Sequence, residues 1–383
     1  MKRRFIHIQA ILILGMIFSC TTTNIRQITS SEKSDPLYLE IEKLGQELTV
    51  KNNVPGIAVA VIRDGKIAWI QSIGYANLAS KQPVKPETIF NVGSVSKLVS
   101  SWGFMQLTEK GLLKLDDSVD PALTRWHLPD SQFNTSKVTL RRLLSHTAGL
   151  SVHGYGGSDQ GTPLLSLEES LNGKTKRNGE TVHLISEPGT KWEYSGGGYT
   201  LAQLLLEEKT KQDFSSYMKQ NVFLPLGMTH TSYEWTGEMM SSSATAYNEH
   251  GYPIKNRIFT EKAAAGLQTT IADLAHFAEL SITRNSKKLN KVLKPETIKL
   301  METPILPSSS EGESGLGYRL MNYEGFRTIG HTGENVGWSA AMFMDLPTKS
   351  GIIVLSNGSN GDRVWYPIYQ SWLKTVKADQ ISK

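Results

Sequence analysis

A serine hydroxyl becomes a useful nucleophile only when a neighbouring group takes its proton, and a lysine three residues further along a helix is well placed to do so. The 383-residue chain contains that Ser-x-x-Lys spacing four times, starting at Ser30, Ser94, Ser216 and Ser371. Context separates them. Ser30 lies in a Ser/Thr-rich stretch without apolar periodicity, and Ser216 and Ser371 fall inside amphipathic helical patterns with no other reactive group beside them. Only Ser94 follows an extended segment, Thr88 to Val92, and a glycine, and opens a helix. Val95, Leu98, Val99, Trp102 and Met105 recur at helical spacing until Lys110-Gly111 stops them. A serine in the first helical turn sits in the positive end of the helix field among free backbone N–H groups. Taken alone, the pair reads equally well as a helix cap followed by a solvated lysine.

Two further stretches carry reactive side chains. Glu187 to Tyr199 is a glycine-rich loop containing Tyr194-Ser195-Gly196-Gly197-Gly198, and it leads into a helix with Leu201, Leu204 and Leu205. A tyrosine held near a lysine can act as phenolate base and then as acid, moving a proton from nucleophile to leaving group. A lone tyrosine in such a loop is otherwise a packing residue. Gly330-His331-Thr332-Gly333 follows an extended segment and precedes a strand at Trp338. On an edge strand it would present His331 and Thr332 to a substrate and bring a backbone N–H near Ser94, completing an oxyanion hole. An isolated histidine in a hairpin is otherwise structural.

Ser-x-x-Lys, Tyr-Ser-x and His-Thr-Gly in that order resemble the serine β-lactamase and D,D-peptidase superfamily, in which Ser-x-x-Lys is followed by a later Lys-Thr-Gly. The closer likeness is to the class C β-lactamase, D,D-carboxypeptidase and family VIII esterase group. Phe90 to Lys97, Leu143 to Leu150, Leu224 to Met228 and Ala265 to Thr270 look similar too, so the resemblance runs from about Leu44 to Ser359. It implies that Ser94 is the acylated nucleophile and that Lys97 and Tyr194 form the proton relay. The Ser94 and Glu334 backbone N–H groups would form the oxyanion hole, with His331, Thr332, Gly333 and Gly196 lining the substrate site. His146 matches a motif that ends a helix and reads as structural.

Two departures bear on substrate. The group usually has asparagine where this chain has Gly196, an amide that would hold the substrate's acyl-side carbonyl, so Gly196→Asn is expected to improve β-lactam acylation. The lysine typical of β-lactamases is His331 here, a cation only below a pKa normally near 6.5. Glu334 beside it is expected to raise that value while offsetting the charge. Aryl esters should therefore be hydrolysed readily and β-lactams poorly, with activity on anionic substrates growing as pH falls toward 6.

The elements that must position these residues are legible at both ends. Ile57 to Ile62 and Ile67 to Ile70 read as strands joined by an Asp-Gly hairpin. Trp338 to Met344 and Gly351 to Leu355 read as two more, followed by a closing helix at Trp365 to Leu373. Between them lie helices, including one with Ile271, Leu274, Ala275 and Ala278 on one face. Strands from both termini with helices between them predict an α+β fold of the β-lactamase/transpeptidase-like kind, an antiparallel sheet flanked by helices with an inserted, mostly helical lobe. The expected hydrolase domain is 37–375, with a sheet lobe at about 37–93 and 265–375 and a helical lobe at about 94–264.

The N-terminus reads as a targeting segment. Lys2, Arg3 and Arg4 precede an apolar run from Ala10 to Phe18, too short for a comfortable membrane span, and then Cys20, the sole cysteine of the sequence. Ile17-Phe18-Ser19-Cys20 resembles the lipobox of bacterial lipoproteins. Residues 1–19 would be a signal peptide, Cys20 the lipidation site and 20–36 a tether, placing the domain in the bacterial cell envelope, facing periplasm or exterior. An uncleaved anchor, or a secretory signal with an incidental cysteine, is the competing reading. Without Lys2, Arg3 and Arg4, the 41 basic residues become 38 against 36 acidic ones, and no basic stripe suggests nucleic acid. The sequence carries no His-Glu-x-x-His, phosphate-binding loop or Gly-x-Ser-x-Gly elbow, so no metal or cofactor is expected. The expected partners are a small ester, amide or peptide substrate, including cell-wall fragments, and a membrane lipid. A β-lactamase, or a non-catalytic cell-wall-binding lipoprotein that keeps the fold, is the alternative to an esterase or D,D-peptidase-like enzyme.

Overall fold

The structure is a computed structural model that describes residues 34–381 apart from 176–178, 307–312 and 324. The expected signal peptide, Cys20 and most of the expected tether lie outside the described residues.

Seven strands form the main sheet: β1 (Gly56–Arg63), β2 (Lys66–Asn77), β3 (Gln82–Pro83), β4 (Arg319–Tyr323), β5 (Phe326–Asn335), β6 (Trp338–Asp345) and β7 (Ser350–Ser356). Their order is β4-β5-β6-β7-β1-β2-β3, antiparallel throughout. The two chain ends meet where β1 pairs with β7, from Ile57 opposite Ser356 to Ile62 opposite Gly351. Asp64 and Gly65, at φ +49° and +72°, make the two-residue turn between β1 and β2, a conformation that favours the Asp-Gly pair found there.

β1 is apolar at nearly every position because helices cover both faces of the sheet. Ile57, Val59 and Val61 face α1 (Pro36–Lys51) and the C-terminal helix (Asp362–Ile381), while Ala58, Ala60 and Ile62 face the other core. That second core contains α2 (Val95–Glu109), α3 (Gly196–Thr210) and α4 (Ile271–Thr283). These apolar faces drop out of water only when sheet and helices close on each other, which supplies the main driving force for assembling the site.

Asp35 caps α1, its carboxylate accepting from the Leu37 N–H at 2.9 Å and pairing with Arg63 at 2.6 Å. Two details differ from expectation. The closing helix runs to Ile381, past 375. The His-Thr-Gly strand is not the sheet edge, because β4 pairs with it. That pairing ends at Arg319 opposite Gly330, however, so the 331–335 half of β5 keeps one backbone edge open, and it faces the start of α2.

Candidate active site

Ser94 is the N-cap of α2, with its N–H among the donors that a helix start leaves without intrahelical acceptors. The preceding strand Ile89–Asn91 pairs with Gln268–Thr270, and Asn91 Oδ1 accepts from the Gly93 N–H at 3.0 Å. Gly93 then turns the chain at φ +51°. A Cβ there would fall 2.5 Å from the Glu334 nitrogen, and one on Gly333 would fall 2.0 Å from the Val92 carbonyl oxygen and 2.7 Å from the Ser94 nitrogen. Glycine at both positions lets the open half of β5 lie directly against the Ser94 turn. The Ser94 and Glu334 amides are thereby brought into one small region.

Lys97 is one turn further on and 1% exposed. Its Nζ donates to Ser94 Oγ at 3.0 Å and to the Ala264 carbonyl at 2.8 Å, and lies 4.9 Å from the centroid of the Tyr194 ring. The short helix Lys262–Ala265 supplies that carbonyl, while its neighbour Ala265 O accepts from Asn335 Nδ2 at 3.0 Å. One turn of chain therefore ties Lys97 to the end of β5.

Tyr194 precedes α3, and its ring is clamped. His146 stacks on it at 4.3 Å, and the His153 ring lies 4.7 Å from it. His146 Nδ1 accepts from the Ser195 N–H at 3.1 Å, which requires a free lone pair there. Burial, then the field of Lys97, pushes the His146 imidazole well below its ordinary range and keeps it neutral for that task. His146 is structural, as expected, and what it builds is the position of Tyr194.

His331 departs from expectation. It is buried, its Nδ1–H donates to the Thr332 carbonyl, and Nε2 meets no partner among the described residues. Burial, then Lys97 and Arg319, pushes its imidazole down to about 3. Glu334 does not raise it; that carboxyl is itself shifted upward by burial and by Asp362. His331 is thus a neutral residue through the physiological range. The sequence reading missed this because residue type says nothing about depth.

Ser94, Lys97, Tyr194, His331, Thr332, Gly333 and Glu334 all line one cleft of about 890 Å³. Gly196 does not. It is buried at the first position of α3, and a Cβ on it would meet the His153 carbonyl oxygen at 3.1 Å. An asparagine there would require the 153–155 segment to give slightly, since the nearest atoms of all three residues would lie 3.1–3.3 Å from its Cβ.

Two cleft residues carried no sequence signal. His153 follows the Leu143 to Leu150 motif in an irregular segment. Arg319 stands on β4 with its guanidinium 4.8 Å over the Trp192 ring, which is itself fixed by an indole N–H donated to Ser314 Oγ at 2.9 Å. Arg319 Nε has no hydrogen-bond partner and no carboxylate pairs with the side chain among the described residues. Burial lowers its pKa, so the site holds a half-buried, uncompensated cation. Among the described residues no cluster of side chains could hold a metal ion.

A serine at a helix start with a buried lysine on it, a clamped tyrosine and two convergent amides, all at the junction of an antiparallel sheet and a helical lobe, define the penicillin-recognising, active-site-serine class of fold. The chain belongs to the beta-lactamase family, whose model matches residues 41–369. It is similar to Protein flp of Staphylococcus aureus (strain NCTC 8325 / PS 47), at 25% identity over 321 residues that cover 80% of this chain. It spans 60% of that relative's length. Among solved structures, the octameric penicillin-binding protein homologue from Pyrococcus abyssi superposes with a TM-score of 0.74 and 26% identity, covering 88% of this chain and 77% of that one. A class C beta-lactamase superposes at 0.73 with 22% identity, covering 88% and 96%, and shares the fold.

Proposed function

We propose that this protein is a serine hydrolase that opens an ester or amide through an acyl-enzyme on Ser94. The observation that carries the reading is the Nζ of Lys97, a residue that is 1% exposed, held 3.0 Å from the Ser94 hydroxyl. Ser94 Oγ attacks the substrate carbonyl carbon while its proton passes into the Lys97/Tyr194 pair. The carbonyl oxygen takes the charge and is held by the Ser94 and Glu334 N–H groups. Collapse breaks the bond to the alcohol or amine, which leaves with a proton returned through Tyr194, and water then releases the acid from Ser94.

Substrate preference follows from the cations. The esters-over-β-lactams expectation rested partly on the lack of a permanent positive charge, and Arg319 supplies one on the cleft wall. The proposed substrates are esters and amides with a carboxylate near the scissile bond, a description that covers peptide-like cell-wall fragments and β-lactams. Export and anchoring at Cys20 remain part of the proposal.

Labelling with a fluorophosphonate and with a fluorescent penicillin tests the assignment, with the modified peptide located by mass. Wild type should carry the adduct on Ser94, and Ser94→Ala should lose both label and turnover. Lys97→Ala and Tyr194→Phe should each cost orders of magnitude, non-additively, because the three act as one unit. Turnover retained by Ser94→Ala would remove the central residue and the mechanism with it.

A further inference from the structure

The two amides assigned to the oxyanion hole lie on separate parts of the chain, and backbone pairing cannot fix their separation. An N–H that is to hold an oxyanion has to stay free of other acceptors. Among the described residues no backbone hydrogen bond joins 331–335 to 92–95, and the pairing of β4 with β5 stops at Gly330. β6 holds the end of β5 from one side only, with Glu334 opposite Ser339 and Asn335 opposite Trp338. Side chains must therefore set the gap between the Ser94 and Glu334 nitrogens.

Asn91 and Asn335 span that gap. Asn91 is buried, and its Oδ1 accepts from the Gly93 N–H at 3.0 Å and from Asn335 Nδ2 at 2.5 Å. Asn335 Nδ2 directs its second hydrogen to the Ala265 carbonyl at 3.0 Å, and Asn91 Nδ2 lies 3.5 Å from the same oxygen. Neither carboxamide can be turned over, because a backbone N–H only donates and a carbonyl only accepts. One oxygen atom thus ties the residue before Ser94 to the residue after Glu334, with 244 positions of sequence between the two asparagines. We propose that Asn91 and Asn335 are positioning residues of the oxyanion hole, holding the two amides at the spacing a tetrahedral oxygen requires while leaving both N–H groups free. The proposal rests on the Ser94 acyl-enzyme reading and deepens it. The same turn of chain serves the proton relay, since the neighbouring Ala264 carbonyl accepts from Lys97 Nζ at 2.8 Å.

The test measures kcat/KM on p-nitrophenyl acetate and inhibition by phenylboronic acid, whose boron takes Ser94 Oγ and becomes tetrahedral with an oxygen in the hole. Both are expressed per active site, titrated with a fluorophosphonate. A misplaced donor costs roughly 10- to 100-fold, so Asn335→Ala should lose that factor in kcat/KM and in boronate affinity alike. Asn91→Leu should lose as much, and the double variant no more than the worse single, because each change opens the same bond. A role in stability alone would lower the melting temperature and the active-site titre and leave the per-site constants as they are. Per-site constants within about twofold of wild type in Asn335→Ala, a loss in kcat/KM that the boronate does not share, or losses that multiply in the double variant overturn the proposal. Asn335 is half-buried at the cleft, so Asn335→Ala decides the outcome if Asn91→Leu, at a buried position, does not fold. A wild type unlabelled at Ser94 fails the acyl-enzyme, whereas a labelled Asn335→Ala with unchanged constants fails only the asparagine clamp.

Discussion

Arg319→Gln isolates the cation that sequence reasoning did not foresee. The wild-type guanidinium is half-buried, stacked over Trp192 and unpaired by any carboxylate among the described residues, so its desolvation is uncompensated until a substrate arrives. A hydrogen bond to a charged group contributes about 1.5–3 kcal/mol, which converts to roughly 10- to 150-fold in kcat/KM for a substrate whose carboxylate reaches it. Glutamine keeps a donor but removes the charge. The stability effect should be small, because relief of the buried charge opposes the loss of a cation–π contact of about 0.5–1 kcal/mol. The assay follows acid release from an acyl-D-alanyl-D-lactate depsipeptide and from its methyl ester, for wild type and variant, as a double-mutant cycle. Wild type should prefer the free carboxylate, Arg319→Gln should lose that preference, and the two losses should not add. A variant equally impaired on acid and methyl ester, or additive losses, would refute the carboxylate role of Arg319.

The remaining expectations follow from the same geometry. Gly333→Ala puts a methyl group 2.0 Å from the Val92 carbonyl oxygen and should part β5 from the Ser94 turn, lowering kcat by about a hundredfold or more, as loss of an oxyanion donor does. Turnover within threefold of wild type would deny those amides their role. The pH–rate profile on a neutral ester should show no step between about pH 6 and 7, because burial holds His331 down to about 3; a step removed by His331→Gln would contradict this. Stability carries the matching sign: unfolding frees His331 to bind a proton below about pH 6.5, so its contribution is intact above that value. It is lost at about 1.4 kcal/mol per pH unit as pH falls toward 3, and His331→Gln should flatten that slope in urea titrations. Cys20→Ser should release the protein from the membrane fraction or leave the precursor unprocessed; unchanged fractionation without lipid mass on the mature N-terminus would dismiss the anchor.

The backbone of the site was legible because its signals are local. An Asp-Gly turn between two apolar runs, alternating strands at the far end and a helix opened by Gly93-Ser94 each specify their own geometry within a few residues. The meeting of β1 with β7 followed from those runs by the need to bury their apolar faces. Ser94 and Lys97 came with the helix, since three residues on one helix face are neighbours by construction. Tyr194, His331 and Thr332 came from spacing and family likeness, and their convergence on one cleft depends on long-range packing.

What escaped sequence reading depends on depth and on contacts between distant segments. β4 is short and half polar, so neither it nor Arg319 announced itself, yet Arg319 decides the charge of the cleft. His331, His146 and His153 look alike in sequence. Burial, Lys97 and Arg319 shift all three downward, an effect of depth and of neighbours distant in the chain that residue type does not reveal. Gly196 reads in isolation as a lost amide, but its N–H donates to the His153 carbonyl at 3.0 Å and its bare Cα lets that segment approach, a contact between distant segments that sequence does not show. Arg319 keeps its charge at any working pH and buried His331 stays neutral, which suits the proposed acyl transfer, one that binds an anionic group while moving protons through Ser94, Lys97 and Tyr194.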